Sequence, residues 1–207
     1  MVAIISDFRD YMTMPKRVNV ERRKLILDDF FKVEEVYLSY ERFDGSMSPL
    51  VRRLNFERGD SVATLLHHKE RNSILLVNQF KYPSYDKGPG WITEVVAGTI
   101  GPEENAEDAA RREILEETGY RAEKLVHIST FYVSPGGSSE RILLYYAEIS
   151  GAGRSEKGGG LAEENEDITL IELPADEAFR HVEWGRIVDA KTILGLMWLR
   201  NRLASPS

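Results

Sequence analysis

Between residues 25 and 58 the chain alternates apolar and polar positions and is rich in Val, Tyr and Phe. That period of two predicts strands with one covered face. Asp44-Gly45 marks a turn between segments at 31–42 and 49–56, so an N-terminal antiparallel sheet is expected. Residues 1–22 are weakly patterned and read as a frayed lead-in. After Gly59, residues 62–67 and 74–80 read as strands around a polar turn at 69–72, followed by a loop at 83–90 and a strand at 91–96. Residues 125–133 and 141–149 form a further strand pair joined by Ser134-Pro135-Gly136-Gly137-Ser138-Ser139, and 168–173 is a short strand. The glycine-rich run 151–160 reads as a flexible connector. Residues 175–184 and 189–203 are predicted helices, the second with an apolar centre at 193–199.

One helical stretch carries the chemistry. Asn105 can cap a helix whose left-handed terminus is Gly119, giving about three to four turns. Glu113, Glu116 and Glu117 stand at i, i+3 and i+4 near its C-terminal end, so they share one narrow face. Like charges at this spacing repel, and the helix dipole places negative charge at the same end. Arg112 is the evident local counter-charge. A solvated acidic face is the plain alternative; a bound divalent cation would reverse the balance, since hard cations take carboxylate oxygens and bridge phosphates.

Composition narrows the options. A chain of 207 residues, 42% of them hydrophobic, suits one sizeable domain or a compact domain with an extension. With no cysteine, disulfides and thiolate chemistry are excluded, and any metal is held by oxygen or histidine. The net charge of −7 and the lack of a long basic run argue against nucleic acid as a partner. No segment has the length of a membrane span or the form of a secretory signal, which makes a cytoplasmic location the default expectation. Local hairpins flanking the acidic helix, with helices at the end, argue α+β or a mixed-sheet α/β sandwich.

The spacing Gly98, Glu104, Arg112-Glu113-Ile114, Glu116-Glu117, Gly119-Tyr120 resembles the complete signature of the Nudix hydrolases. Val51-Arg52-Arg53, Phe56 to Gly59, Glu94 to Gly98, Ser134-Pro135-Gly136 and Glu164 to Ile168 resemble the branch that acts on nucleoside diphosphate sugars, of the ADP-ribose or GDP-mannose type. The resemblance implies an α/β/α sandwich with a mixed sheet for residues 61–207, and an N-terminal strand extension over 1–60 that dimerises. It implies hydrolysis of a diphosphate to a nucleoside monophosphate and a sugar phosphate, with two or three Mg²⁺, or Mn²⁺ in their place. By the same resemblance Glu113, Glu116, Glu117, Glu166 and the Ala97 carbonyl hold metal, Arg112 orients the glutamates, and Glu164 is the base. Arg53, Lys81, Pro135 and Glu140 border the substrate. Lys81 stands where the similar ADP-ribose enzymes typically have arginine, which puts the sugar nucleotide in doubt. A nucleotide-sensing module that does not hydrolyse, and a nucleoside triphosphate pyrophosphatase, are the alternatives.

Overall fold

The computed structural model describes residues 16–161 and 165–204. They fall in two compact units, one within Met1–Arg58 and Ser134–Glu140, the other within Gly59–Val133 and Arg141–Ser207.

The first unit is a three-stranded antiparallel sheet of β1 (Val18–Asp28), β2 (Lys32–Tyr40) and β3 (Val51–Glu57), in that order. The turn expected at Asp44-Gly45 is present: Gly45 has φ 82°, and the Asp44 carboxylate accepts from the Ser46 N–H at 2.9 Å and its hydroxyl at 2.6 Å. Strand β1 begins at Val18, inside the stretch expected to be a lead-in, of which residues 1–15 lie outside the described residues. All eleven of its residues are exposed, so no alternation of burial marks it. Its backbone ladder with β2 defines it instead. The segment 134–140 lies along β3: the Phe56 N–H donates to the Gly137 carbonyl at 2.8 Å, and the Ser139 hydroxyl donates to the Glu57 carboxylate.

The second unit holds a mixed seven-stranded sheet of β4 (Ser61–His68), β5 (Ser73–Phe80), β6 (Trp91–Glu94), β7 (Val96–Thr99), β8 (Leu125–Tyr132), β9 (Arg141–Ile149) and β10 (Thr169–Pro174). Its main path runs β10-β5-β4-β9-β8, with β4 and β9 parallel and the other neighbours antiparallel. Helix α1 (Ala106–Thr118) covers one face, and α2 (Ala175–Glu183) and α3 (Ala190–Ala204) the other. Strand periodicity explains the layers. Ala63 and Leu65 on β4 pack with Ile74, Leu76, Ala178, Leu196 and Leu199, whereas Val62 and Leu66 share the α1 side with Ala109, Ala110 and Ile114. Each fully buried Leu or Ile here contributes about 1.5–3 kcal/mol.

Strands β4 and β5 pair only where Leu66, His67 and His68 face Leu75, Ile74 and Ser73. Beyond that they part, and the free edges are taken by β7 on β4 and β6 on β5. The single strand expected at 91–96 is therefore two, broken at Val95. The reason is a side chain from a distant segment: the Val95 N–H donates to the Thr192 hydroxyl at 2.9 Å, so it is withdrawn from the ladder.

Candidate active site

Helix α1 starts as its sequence dictates. Asn105 accepts from the Asp108 N–H at 2.9 Å, Glu107 and Asp108 sit in the favourable first turn, and Ala109, Ala110 and Ile114 anchor the inner face. Its far end is where carboxylates are least welcome, and a second segment compensates. The Gly159 N–H donates to the Glu117 carbonyl at 2.8 Å, Gly160 to Glu116 at 3.2 Å, and Ser155 and Glu156 to Gly119 at 2.8 and 3.1 Å. The glycine-rich run expected to be a flexible connector is thus bonded onto the helix terminus, satisfying its orphan carbonyls. Gly158 has φ 69°, and a Cβ there would lie 2.5 Å from the Thr118 carbonyl carbon, so only glycine fits.

The three glutamates differ in environment. Glu117 is 1% exposed, and its Oε2 has no hydrogen-bond partner among the described residues. Burial first, then the charges of Glu113, Glu166 and Glu94, push its carboxyl up to about 9. Glu113 is also raised by burial, partly offset by Arg112. Glu116 is more open and pairs with Arg112 at 3.1 Å. Arg112 is the hub: it donates to Glu113 at 2.7 Å, to both oxygens of Glu104 at 3.0 and 3.1 Å, and to the Thr99 carbonyl at 3.1 Å. Hydrogen bonding to Glu104 leads the effects that hold its guanidinium firmly charged. The β7 backbone comes in against this face at Gly98, where a Cβ would lie 1.8 Å from Glu113 Oε1. Any larger residue would displace that carboxylate.

Glu166 is drawn in from the loop after the glycine run. Its Oε2 accepts from the Leu161 N–H at 3.0 Å, and its charge bears on both Glu113 and Glu117. Ala97 follows Val96 on β7, paired with Ala63. Lys81 lies 3.7 Å from Glu94 Oε1, and its charge also reaches Glu117. Among the described residues no three of these acidic groups close around a common point as formed metal ligands do. Glu164 lies outside the described residues. Arg53, Pro135 and Glu140 belong to the first unit, where Arg53 donates to the Arg52 carbonyl at 3.0 Å and Glu140 pairs with Arg58 at 3.6 Å.

Two members of the site escape sequence reasoning. Glu104 marks a fixed position of the spacing, but its work, gripping Arg112 through both oxygens, appears only in three dimensions. Hydrogen bonding to Arg112 holds its carboxyl below the ordinary range. Glu94 is 5% exposed, with Oε1 lacking a hydrogen-bond partner among the described residues and Oε2 taken by Lys191. A glutamate directly before Val95-Val96-Ala97-Gly98 is the signal that could have found it, since a lone carboxylate in an apolar strand requires a partner.

Known proteins resemble the chain over most of its length. Residues 57–193 match the NUDIX domain model. The chain is 35% identical over 191 residues to a GDP-mannose pyrophosphatase of Cronobacter sakazakii, covering 91% of this chain and 98% of that protein. It is 35% identical over 184 residues to an ADP-ribose pyrophosphatase of Escherichia coli K12, covering 88% of each. A crystal structure of an ADP compounds hydrolase superposes with a TM-score of 0.69 at 19% identity, covering 90% of this chain and 94% of that one, and shares the fold. With its signature helix, its α/β/α layers and these relatives, the chain belongs to the Nudix family.

Proposed function

We propose that this protein hydrolyses the diphosphate bond of a nucleoside diphosphate sugar, of the ADP-ribose or GDP-mannose type, giving a nucleoside monophosphate and a sugar phosphate. The observation that carries the reading is the buried acidic face of α1: Glu117, with an oxygen unpartnered among the described residues and charges from Glu113, Glu166 and Glu94 upon it. A site built only for stability has no use for such a group.

Divalent cations fit this donor set. Orphaned carboxylate oxygens in a cysteine-free chain are hard ligands, which favours Mg²⁺, with Mn²⁺ as a substitute, and the family resemblance implies two or three ions. Glu113, Glu116, Glu117, Glu166 and the Ala97 carbonyl would hold them. When bound, such cations neutralise the diphosphate and make water more acidic. The chain's own residues do the rest. Arg112, fixed by Glu104, orients Glu113 and Glu116, and Gly98 leaves Glu113 room to stand where it does. Lys81 offers a point charge to the phosphates, and Arg53 a planar fork. Pro135 and Glu140 border the sugar nucleotide. Glu164 accepts the proton of the attacking water and thereby raises its nucleophilicity.

We assign a homodimer held through the N-terminal strands. Support comes from β1, where Val18, Val20, Leu25, Ile26 and Leu27 are all between 41% and 58% exposed, a row that a lone sheet leaves to water. Light scattering at micromolar concentration gives twice 23.6 kDa on this reading, and a monomer overturns it. No described helix is long and apolar enough to cross a membrane.

The activity is tested by analysing phosphate products with Mg²⁺ on ADP-ribose, GDP-mannose and a deoxynucleoside triphosphate side by side. Preference for either sugar nucleotide is expected. Preference for the triphosphate, or binding without turnover, overturns the reading.

A further inference from the structure

Lys191 stands in the first turn of α3, and its ammonium lies between two carboxylates. It contacts Glu94 and sits 2.9 Å from Asp189 Oδ1, with its side chain only 13% exposed. Burial opposes the charge, but Glu94 and Asp189 outweigh it and hold the ammonium protonated. The other Asp189 oxygen accepts from the Thr192 N–H at 2.9 Å and its hydroxyl at 2.6 Å, and Thr192 in turn takes the Val95 N–H. A cation from the layer on one side of the sheet is thus clamped onto a carboxylate whose charge reaches Glu117 on the other side.

Glu94 has a second cation beside it. Lys81 Nζ is 3.7 Å from Oε1, outside hydrogen-bond distance, and its side chain is 44% exposed. The two cations compete unequally. Lys191 is in contact and shielded from water, where charges attract strongly; Lys81 is loosely held and screened. Were Lys191 absent, Glu94 would be a buried carboxylate in need of a partner, and Lys81 is the cation within reach.

We propose that Lys191 is a positioning residue that keeps Lys81 available to the anionic substrate: by holding Glu94 permanently, it prevents that carboxylate from capturing Lys81. The inference rests on Lys81 being a substrate contact, as in the reading above.

The test is steady-state kinetics with Mg²⁺ on ADP-ribose and GDP-mannose for Lys191→Met, Lys191→Arg, Lys81→Met and the double variant Lys81→Met/Lys191→Met. Lys191→Met is expected to raise KM about tenfold, the scale of a partly buried ion pair, while kcat stays within about twofold. Lys191→Arg restores KM. In the Lys81→Met background, which has its own raised KM, Lys191→Met adds nothing further. A fall in kcat at unchanged KM, or a full multiplicative effect in the double variant, overturns the inference while leaving Lys81 as a substrate contact. An unchanged KM in Lys81→Met removes Lys81 from the substrate site, and the inference falls with it. Should Lys191→Met not fold, Glu94→Gln/Lys191→Met removes both charges together; a KM near the parent value is then expected, because nothing remains to capture Lys81, and a tenfold rise overturns the inference.

Discussion

Glutamates on the N-terminal sheet and glutamates on α1 are the same residue put to opposite uses. On β2, Glu35 is matched by Arg52 at 2.6 Å and Arg22 at 3.4 Å, and hydrogen bonding to Arg52 holds its carboxyl below the ordinary range. Glu41 is similarly served by Arg17 at 2.9 Å. On α1, Glu117 is enclosed and faces other carboxylates, and its affinity for protons rises instead. Pairs whose arginines lie open to water are screened and cost little to change. Enclosed, unpaired groups destabilise the fold that carries them, so their presence points to a ligand absent from the folding balance.

The contrast breaks most sharply at Glu117. Glu117→Gln is expected to lower kcat/KM by at least about 10³-fold while raising the melting temperature of the chelated protein at neutral pH, since an amide of the same shape is buried uncharged without having to take up a proton. Product assays and calorimetry in EDTA check the two halves; retained turnover would return α1 to the class of ordinary acidic helices. Next in size is Gly98→Ala, whose methyl would displace the Glu113 carboxylate. A loss of about 100-fold in kcat/KM is expected, on the scale of a misplaced catalytic group.

The pH dependence of stability sharpens the same contrast. Folding lifts the Glu117 carboxyl from 4.5 to about 9, so between those values the native state holds a proton that the unfolded chain has released. Stability contributed by the protonated form is therefore complete below about pH 4.5 and drains away as pH rises toward about 9. Melting of the chelated protein should fall across that window, and the slope should flatten in Glu117→Gln. Mg²⁺ should raise the melting temperature most at the alkaline end. The smallest effect belongs to the sheet: Glu35→Gln is expected to leave the melting temperature within about a degree and kcat unchanged.

Much of this was legible in the chain. The caps at Asn105 and Gly119 and the i, i+3, i+4 glutamates placed α1 and its acidic face, because helix ends and helix faces are local properties. Strands with one face buried announced themselves by period, and β4 and β5, buried on both faces, by short apolar runs bounded by turn residues. Strand β1 did not, since exposure on both faces leaves no period to read. The break at Val95 was hidden because its cause, Thr192, lies 97 residues away, and Lys191 stands at the same separation from Glu94. The glycine run at 151–160 carried the composition of a loose linker, yet its N–H groups close the end of α1; composition reports freedom of the backbone, and only contacts report whether that freedom is spent.

The manner in which the first unit is assembled bears on how this gene can be cut. Residues 134–140 leave the large sheet after β8 and rejoin it at β9, and in between they bond to β3 through Phe56 and Glu57. A fragment starting near residue 60 would retain this excursion but delete the strand it leans on. Its lost activity would then report a stripped loop as much as a missing appendage. Shuffling N-terminal segments between relatives meets the same constraint: residues 16–58 and 134–140 are one heritable piece written in two places, and they must be exchanged together.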